Sequence, residues 1–344
     1  DYRLNRSPRL LLVDGDGWAY SQAREYFRAS LDRLGYTYHV HVVADEAVAP
    51  GLAGGPPALE TLQQYDIVIW TSSVTGPTFV RGAGPLSAYL AAGGRLLLSG
   101  QDALCTDSGS AVASDPCNSK ARPDPYVRDH LNVRVLADNS HSMRVTGAEG
   151  GPFAGLDLFL NGPDSMDNQS MPDVMAVLDP SAGALIATYA DGRGAAALAR
   201  GCRPSRALVL GFGFEGVRGA ATRDDLLERA ILALGAERPE HAVVVRADVD
   251  RLLVPAGGTA SFTATVTNTG SQPDQVDLVV AGTSWPAMVL RPGSDQPLEQ
   301  PLALAACQSA RFVVRLAVPE GTLRGTSSEL LIRAVGRAGS AHEA

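Results

Sequence analysis

The sequence predicts two folded parts in tandem, an α/β layered domain followed by an all-β sandwich. Three observations carry this. The first two-thirds alternates solid apolar runs with segments apolar at helical spacing. The runs are apolar at nearly every position, as in strands covered on both faces by helices. From about residue 243 the helical period vanishes and period-two alternation replaces it.

Taken in order, RLLLVDGDG (9–17) is a strand running into a Gly-rich turn. SQAREYFRASLDRLG (21–35) follows as a helix, with Phe27, Leu31 and Leu34 on one side and Gly35 as its C-cap. YTYHVHVV (36–43) alternates like a strand, and DIVIWTSS (66–73) and RLLLSGQD (95–102) are apolar strands. The helix-like PLSAYLAAGG (85–94) separates the last two. After a less regular middle come ALIATYA, AAALARG and LVLGFGFEGV, then a helix, RDDLLERAILALGA (223–236). Its Leu226, Leu227, Ala230, Ile231 and Leu234 share one side. In the last hundred residues Phe262, Ala264 and Val266 share a strand face, as do Val276, Leu278 and Val280, and Phe312, Val314, Leu316 and Val318. The expected boundaries are an N-terminal extension at 1–8, the α/β domain at 9–237, a linker at 238–242, the sandwich at 243–337 and a tail at 338–344.

With 344 residues, 45% hydrophobic and 19% charged, the chain has the composition of a folded globular protein. Its net charge of -8 argues against nucleic acid or an anionic membrane as partner. No apolar stretch approaches the roughly 20 residues of a membrane span. The chain begins at Asp1 without an initiator Met or a signal-peptide pattern, which reads as a processed product or an excised piece. Four cysteines suit an oxidising compartment. Cys105 and Cys117 flank a polar loop and are expected to be joined by a disulfide, which would contribute roughly 2–3 kcal/mol. Cys202 and Cys307 are either buried thiols or a second bridge.

Few residues suggest chemistry. Asp14 and Asp16 stand at the carboxyl end of the first strand, the edge where open α/β sheets bind ligands. Two carboxylates there would suit calcium, but the further oxygens of an EF-hand-type loop are missing. The plainer reading is that Asp16 or Ser21 caps the next helix. The loop NGPDSMDNQSMPD (161–173) offers Asp164, Asp167, Asn168 and Asp173 for a cation or a sugar, or for Asx turns that satisfy its own backbone. Asn168 and Asn5 each begin a glycosylation sequon. Ser99 is a weak nucleophile candidate because a strand side chain there faces the sheet surface, and no motif places His130 or His141 beside it. Trp285 is expected in the core of the sandwich.

The segments LLVDGDG, YDIVIWTSS, GGRLLLSGQD, NGPDSMDNQSMPD and LGFGFEGV, in that order, resemble the class I glutamine amidotransferase-like fold. This is a flavodoxin-like three-layer α/β sandwich, and the resemblance is to the non-enzymatic versions attached to secreted bacterial subtilisin-like peptidases. VTNTGSQPDQVDL, Trp285 and RFVVRLAVPEGTLRG resemble Ig-like modules of exported proteins. The resemblance places Gln101 at the nucleophile Cys, Gly213 at the His, and Glu215 at the carboxylate that orients it. Acyl transfer needs a nucleophile and a base to take its proton, so two of three parts are missing. It implies a secreted or cell-surface, non-enzymatic scaffold or binding region, accessory to a peptidase, with no cofactor unless calcium binds. Its partners are expected to be the rest of a larger exported protein, or a surface polymer or protein met through loops 102–123 and 161–175. The alternatives are a self-assembling subunit of an extracellular filament or surface layer, and a hydrolase with a rebuilt site.

Overall fold

The structure is a computed structural model. It describes residues 8–15, 22–43, 54–72, 76–77, 81–104, 125–200, 202, 205–236, 239–249, 251–339 and 341–343. Asp16, Cys105, Cys117, Asn5 and most of loop 102–123 lie outside them. The chain divides into two compact units, 1–236 and 237–344.

The first unit is mixed α/β. Its order opens with β1 (Leu10–Asp14), α1 (Ala23–Leu34), β2 (Tyr38–Val42), the one-turn α2 (Leu59–Leu62), β3 (Ile67–Thr71), α3 (Ala83–Ala91) and β4 (Arg95–Ser99). A helical turn at Val127–Leu131 leads into β5 (Val133–Ala137), β6 (Arg144–Gly147), β7 (Asp157–Phe159) and β8 (Val174–Val177). There follow β9 (Gly183–Tyr189), β10 (Gly194–Ala199), β11 (Arg206–Leu210), a 3₁₀ turn at Phe214–Gly216 and α4 (Ala220–Gly235). One eleven-stranded sheet runs β2-β1-β3-β4-β11-β10-β9-β6-β7, with β8 pairing both β10 and β5.

Only β2, β1, β3, β4 and β11 are mutually parallel. Helices cover both faces of this half. Leu10, Leu12, Ile69 and Leu97 pack with Phe27 and Leu31 of α1 and Leu227 of α4. Leu11, Val13, Val68 and Leu98 pack with Leu86 and Leu90 of α3 and with Val127 and Leu131. Beyond β11 the sheet turns antiparallel. The cause is local. β9 and β10 are joined by a tight turn in which Gly192 takes φ 83°, and so short a link permits only antiparallel pairing.

The second unit consists of two four-stranded antiparallel sheets. Its strands are β12 (Val243–Ala247), β13 (Thr259–Asn268), β14 (Asp274–Ala281), β15 (Ala287–Leu290), β16 (Leu302–Leu304), β17 (Ser309–Ala317), β18 (Leu331–Gly336) and β19 (Ala341–Glu343). The sheet orders are β12-β13-β17-β15 and β16-β14-β18-β19, so the last strand falls in the segment read as a tail. Val245, Val266, Phe312 and Val314 of one sheet meet Val276, Leu278 and Ile332 of the other. Asn268, the last residue of β13, is buried, and its amide donates to the carbonyls of Gln272 and Leu304 at 2.8 and 3.1 Å. Its Oδ1 accepts from Gly270 N at 2.9 Å. Trp285 is only half-buried and outside this core, contrary to expectation. It sits in the bend before β15, where strand alternation does not apply, and its backbone N–H donates to Thr283 Oγ1 at 3.0 Å.

Candidate functional site

The parallel strands end in register. Asp14 pairs with Thr71, Thr71 with Ser99, and Ser99 with Leu210. The chain leaving β4 and the chain leaving β11 therefore emerge side by side at the carboxyl edge, the usual ligand edge of open α/β sheets. Gly100 N donates to Phe212 O at 3.1 Å and ties the two exits together. Ser99 Oγ adds to the tie, accepting from Phe214 N at 2.8 Å and donating to Phe212 O at 3.3 Å. Its hydroxyl is fully buried and committed to main chain. Phe214 stacks on Phe27 of α1, with ring centroids 4.1 Å apart.

Gln101, Gly213 and Glu215 are brought together here, with loop 161–171 laid over them. Gln101 Oε1 accepts from the backbone N–H groups of Ser170 and Met171 at 2.8 and 3.1 Å. Its Nε2 donates to Asn168 O at 3.3 Å. Glu215 is fully buried, and its Oε1 accepts from Asn168 Nδ2 at 3.0 Å and Gln169 Nε2 at 3.2 Å. Gln169 fills the remaining room. Its Oε1 accepts from Gly213 N at 2.7 Å, and its Nε2 also reaches Asn168 Oδ1 at 2.8 Å. Both amide hydrogens and the carbonyl are thus satisfied, so burying this side chain carries little desolvation cost. A Cβ on residue 213 would stand 2.1 Å from Glu215 Oε1 and 2.6 Å from Gln169 Nε2. A Cβ on residue 216 would stand 2.1 Å from Gln169 Cγ.

The loop is shaped to reach this position. Asn161, Asp164 and Asp167 take φ of 65°, 63° and 56°, the left-handed region that Asn and Asp tolerate best after Gly. Asn161 exchanges hydrogen bonds with the Gln169 backbone, 2.9 Å to its N and 2.6 Å to its O. Arg223 of α4 is buried beneath the loop. Its Nη1 donates to the carbonyls of Asp164 and Val217, its Nη2 to Asp164 Oδ2 at 3.2 Å, and its guanidinium lies over the Tyr26 ring.

The cation candidates are placed separately. Asp14 is buried and paired with Arg24 at 3.0 Å. Asp164 faces Arg223, and Asp167 Oδ1 caps Gly162 N at 2.9 Å. Among the described residues no three His, Cys, Asp or Glu side chains converge as a metal site. Asn168 uses its side-chain nitrogen on Glu215, so the glycosylation reading would require breaking that bond. Cys202 and Cys307 are half-buried and belong to different units. Asp173 is fully buried at the same edge, its N donating to Gly211 O at 2.6 Å and its O accepting from Tyr189 OH at 2.9 Å. Burial pushes its carboxyl well above the usual range, and Asp102 and Asp138 add to the rise.

Gln101, Gly213 and Glu215, singled out through the resemblance, lie at this edge, while the packing role of Gln169 and the anchor Arg223 were not read from the sequence. The signal for Gln169 was the pair of glycines flanking Glu215. Nothing in the helical pattern of α4 marked Arg223, since an Arg near a helix start reads as solvated.

No protein-family model matches this sequence, and none of the curated proteins does. Among solved structures, the glutaminase domain of a Trypanosoma brucei CTPS with bound acivicin matches with TM-score 0.39 and 14% identity, over 67% of this chain and 94% of that one. A FixG-related protein from Vibrio parahaemolyticus matches with TM-score 0.23 and 14% identity, over 30% of this chain and 93% of that one. A β-glucosidase from Erythrobacter marinus matches with TM-score 0.26 and 10% identity, over 98% of this chain and 46% of its own. Among the described residues no helix is long and apolar enough to cross a membrane.

Proposed function

We propose that this chain is a non-catalytic scaffold or binding region of a secreted or cell-surface protein, accessory to a peptidase. Its first unit is read as an amidotransferase-like, flavodoxin-like domain and its second as an Ig-like sandwich. The parallel strand order β2-β1-β3-β4-β11 supports the first assignment. The two facing four-stranded antiparallel sheets support the second.

One observation carries the non-catalytic reading: the space a base would need at residue 213 is filled by Gln169 and Glu215. A thiolate or hydroxyl nucleophile is replaced by the Gln101 carboxamide, which spends its acceptor on the loop backbone. The crevice is closed by the protein's own amides, leaving the scaffold to work through its loops.

The test is calorimetric titration of the chain with L-glutamine. The expected result is no saturable heat. Saturable binding that is lost in Glu215→Gln would mean that the crevice opens to a substrate and would overturn the proposal. Light scattering across concentration should find a constant mass, whereas growth into ordered polymers would replace the accessory role with that of a filament or surface-layer subunit.

A further inference from the structure

Three loops of the second unit meet at one end of its sandwich. Ala247 pairs with Ala264, Thr259 with Ala317, Ala281 with Leu331 and Ala287 with Leu316, so loops 248–258, 282–286 and 318–330 leave the strands together. They are tied to one another. Val318 N donates to Gly258 O at 2.9 Å, Ala317 N donates to Pro286 O at 2.9 Å, and the Thr283 and Ser328 hydroxyls bond at 2.9 Å. The chain enters the unit at the other end of the ten-residue β13, about 33 Å away, where Thr269 N donates to Ala242 O at 2.8 Å.

The apices of the two longer loops are apolar and project into solvent. Leu253, in the middle of 248–258, is 88% exposed, and Leu323, in the middle of 318–330, is 80% exposed. Among the described residues no other large hydrophobic side chain is so exposed, and Leu252 beside Leu253 is exposed as well. Turns shape both apices, with Gly258 N donating to Pro255 O at 3.0 Å and Thr326 N to Leu323 O at 3.1 Å. The half-buried Trp285 stands in the third loop. Each apex also carries an exposed arginine, Arg251 next to Leu252 and Arg324 next to Leu323, and neither forms an ion pair among the described residues. Asp248, Glu320 and Glu329 lie nearer the strands, and Asp250 is outside the described residues.

We infer that this end of the sandwich docks on a phospholipid bilayer, with Leu252, Leu253 and Leu323 in the acyl layer, Trp285 at the headgroup level, and Arg251 and Arg324 on lipid phosphates. Leucines exposed to water gain free energy on entering hydrocarbon, while Trp and Arg favour the boundary between the two. Leucines that project from two separate loop tips offer a protein partner no flat patch to pack against, whereas a fluid acyl layer takes them as they stand. Bonds from Arg to phosphate do not require an anionic membrane, because zwitterionic phospholipids carry the same phosphate. The net charge of -8 is therefore no bar, and residues 237–344 themselves hold nine Arg against eleven Asp and Glu. No residue of the crevice takes part, so the docking stands whether or not the crevice is catalytic.

The experiment is flotation of the full chain with vesicles of phosphatidylcholine alone and of phosphatidylcholine mixed with phosphatidylglycerol. Both should carry the chain, with half binding at or below about 1 mM accessible lipid. Leu253→Asp and Leu323→Asp should each raise the lipid required at least roughly tenfold, with the melting temperature unchanged because both side chains are exposed. Leu232→Asp, at an exposed position of α4 in the first unit, should leave binding as it was. No flotation with either vesicle overturns the inference, as does flotation that both loop variants leave intact. Binding only to the phosphatidylglycerol vesicles, abolished by high salt, overturns it in favour of charge attraction alone. A doubled mass in light scattering without lipid, lost in Leu253→Asp, overturns it in favour of a second copy of the chain on this end.

Discussion

Gln169 and Gly213 are sterically interdependent. Gly213 N donates to Gln169 Oε1 at 2.7 Å, and a Cβ on residue 213 would lie 2.6 Å from Gln169 Nε2. The glycine is what allows the carboxamide to pack against the strand exit, and the carboxamide is what satisfies the glycine's buried N–H.

Gly213→Ala should therefore destabilise the chain by about 1–3 kcal/mol, the usual cost of overpacking a filled site. Glu215 Oε1 and Gln169 Nε2, the atoms that would have to move, are hydrogen-bonded to each other. In a Gln169→Ala background the same change should cost less, because the Gln169 carboxamide is gone and Glu215 Oε1, released from it, can shift away from the new Cβ. A double-mutant cycle by denaturant unfolding reads the coupling, and additive effects would contradict the packing described.

Gln101→Ala removes the acceptor for the N–H groups of Ser170 and Met171. Stability should fall by roughly 1–2 kcal/mol, and those two amides should exchange faster with solvent. Unchanged exchange at 170 and 171 would show that another group holds the loop.

The layered half was legible because a strand buried on both faces must be apolar throughout, as Leu10–Val13 and Ile67–Trp70 are. The alternation of Phe312, Val314 and Leu316 likewise reappears as one buried face of β17. The antiparallel half was less legible. Ala195, Ala196 and Ala197 are too small and uniform for either period, and their pairing is set by the turn at 190–193. Gln101 and Glu215 were singled out by the resemblance, which aligns the turns after two apolar strands. Gln169 sits in a loop whose path depends on left-handed Asn and Asp residues and on Arg223, which bonds Asp164 from 59 residues away in sequence. Local pattern holds no record of such pairings.

Asp173 gives the chain a pH dependence of definite sign. Its folded carboxyl is raised by burial and by Asp102 and Asp138, so the folded state keeps a proton that the unfolded state releases. This term stabilises at low pH and is lost as pH rises from the ordinary carboxylate range towards the raised folded value, at up to about 1.4 kcal/mol per pH unit. Asp173→Asn should flatten that decline and be relatively more stable at pH 8 than at pH 4. Parallel stability–pH curves for the two proteins would contradict it.

Chelation should leave the melting temperature unchanged. Asp14 is held by Arg24 and Asp164 by Arg223, so neither carboxylate depends on a cation for compensation. A fall of many degrees in chelator, reversed by calcium, would assign a structural ion to the first unit.

Ammonia release from glutamine by the purified chain tests the central claim most directly. With a carboxamide at 101 and no side chain at 213, release should not exceed that of a heat-killed control, and Gln101→Cys alone should not raise it, because residue 213 brings no base to the new thiol. Release above the control that disappears in Glu215→Gln or Ser99→Ala would place a working active site where Gln169 is found here, and would contradict the account.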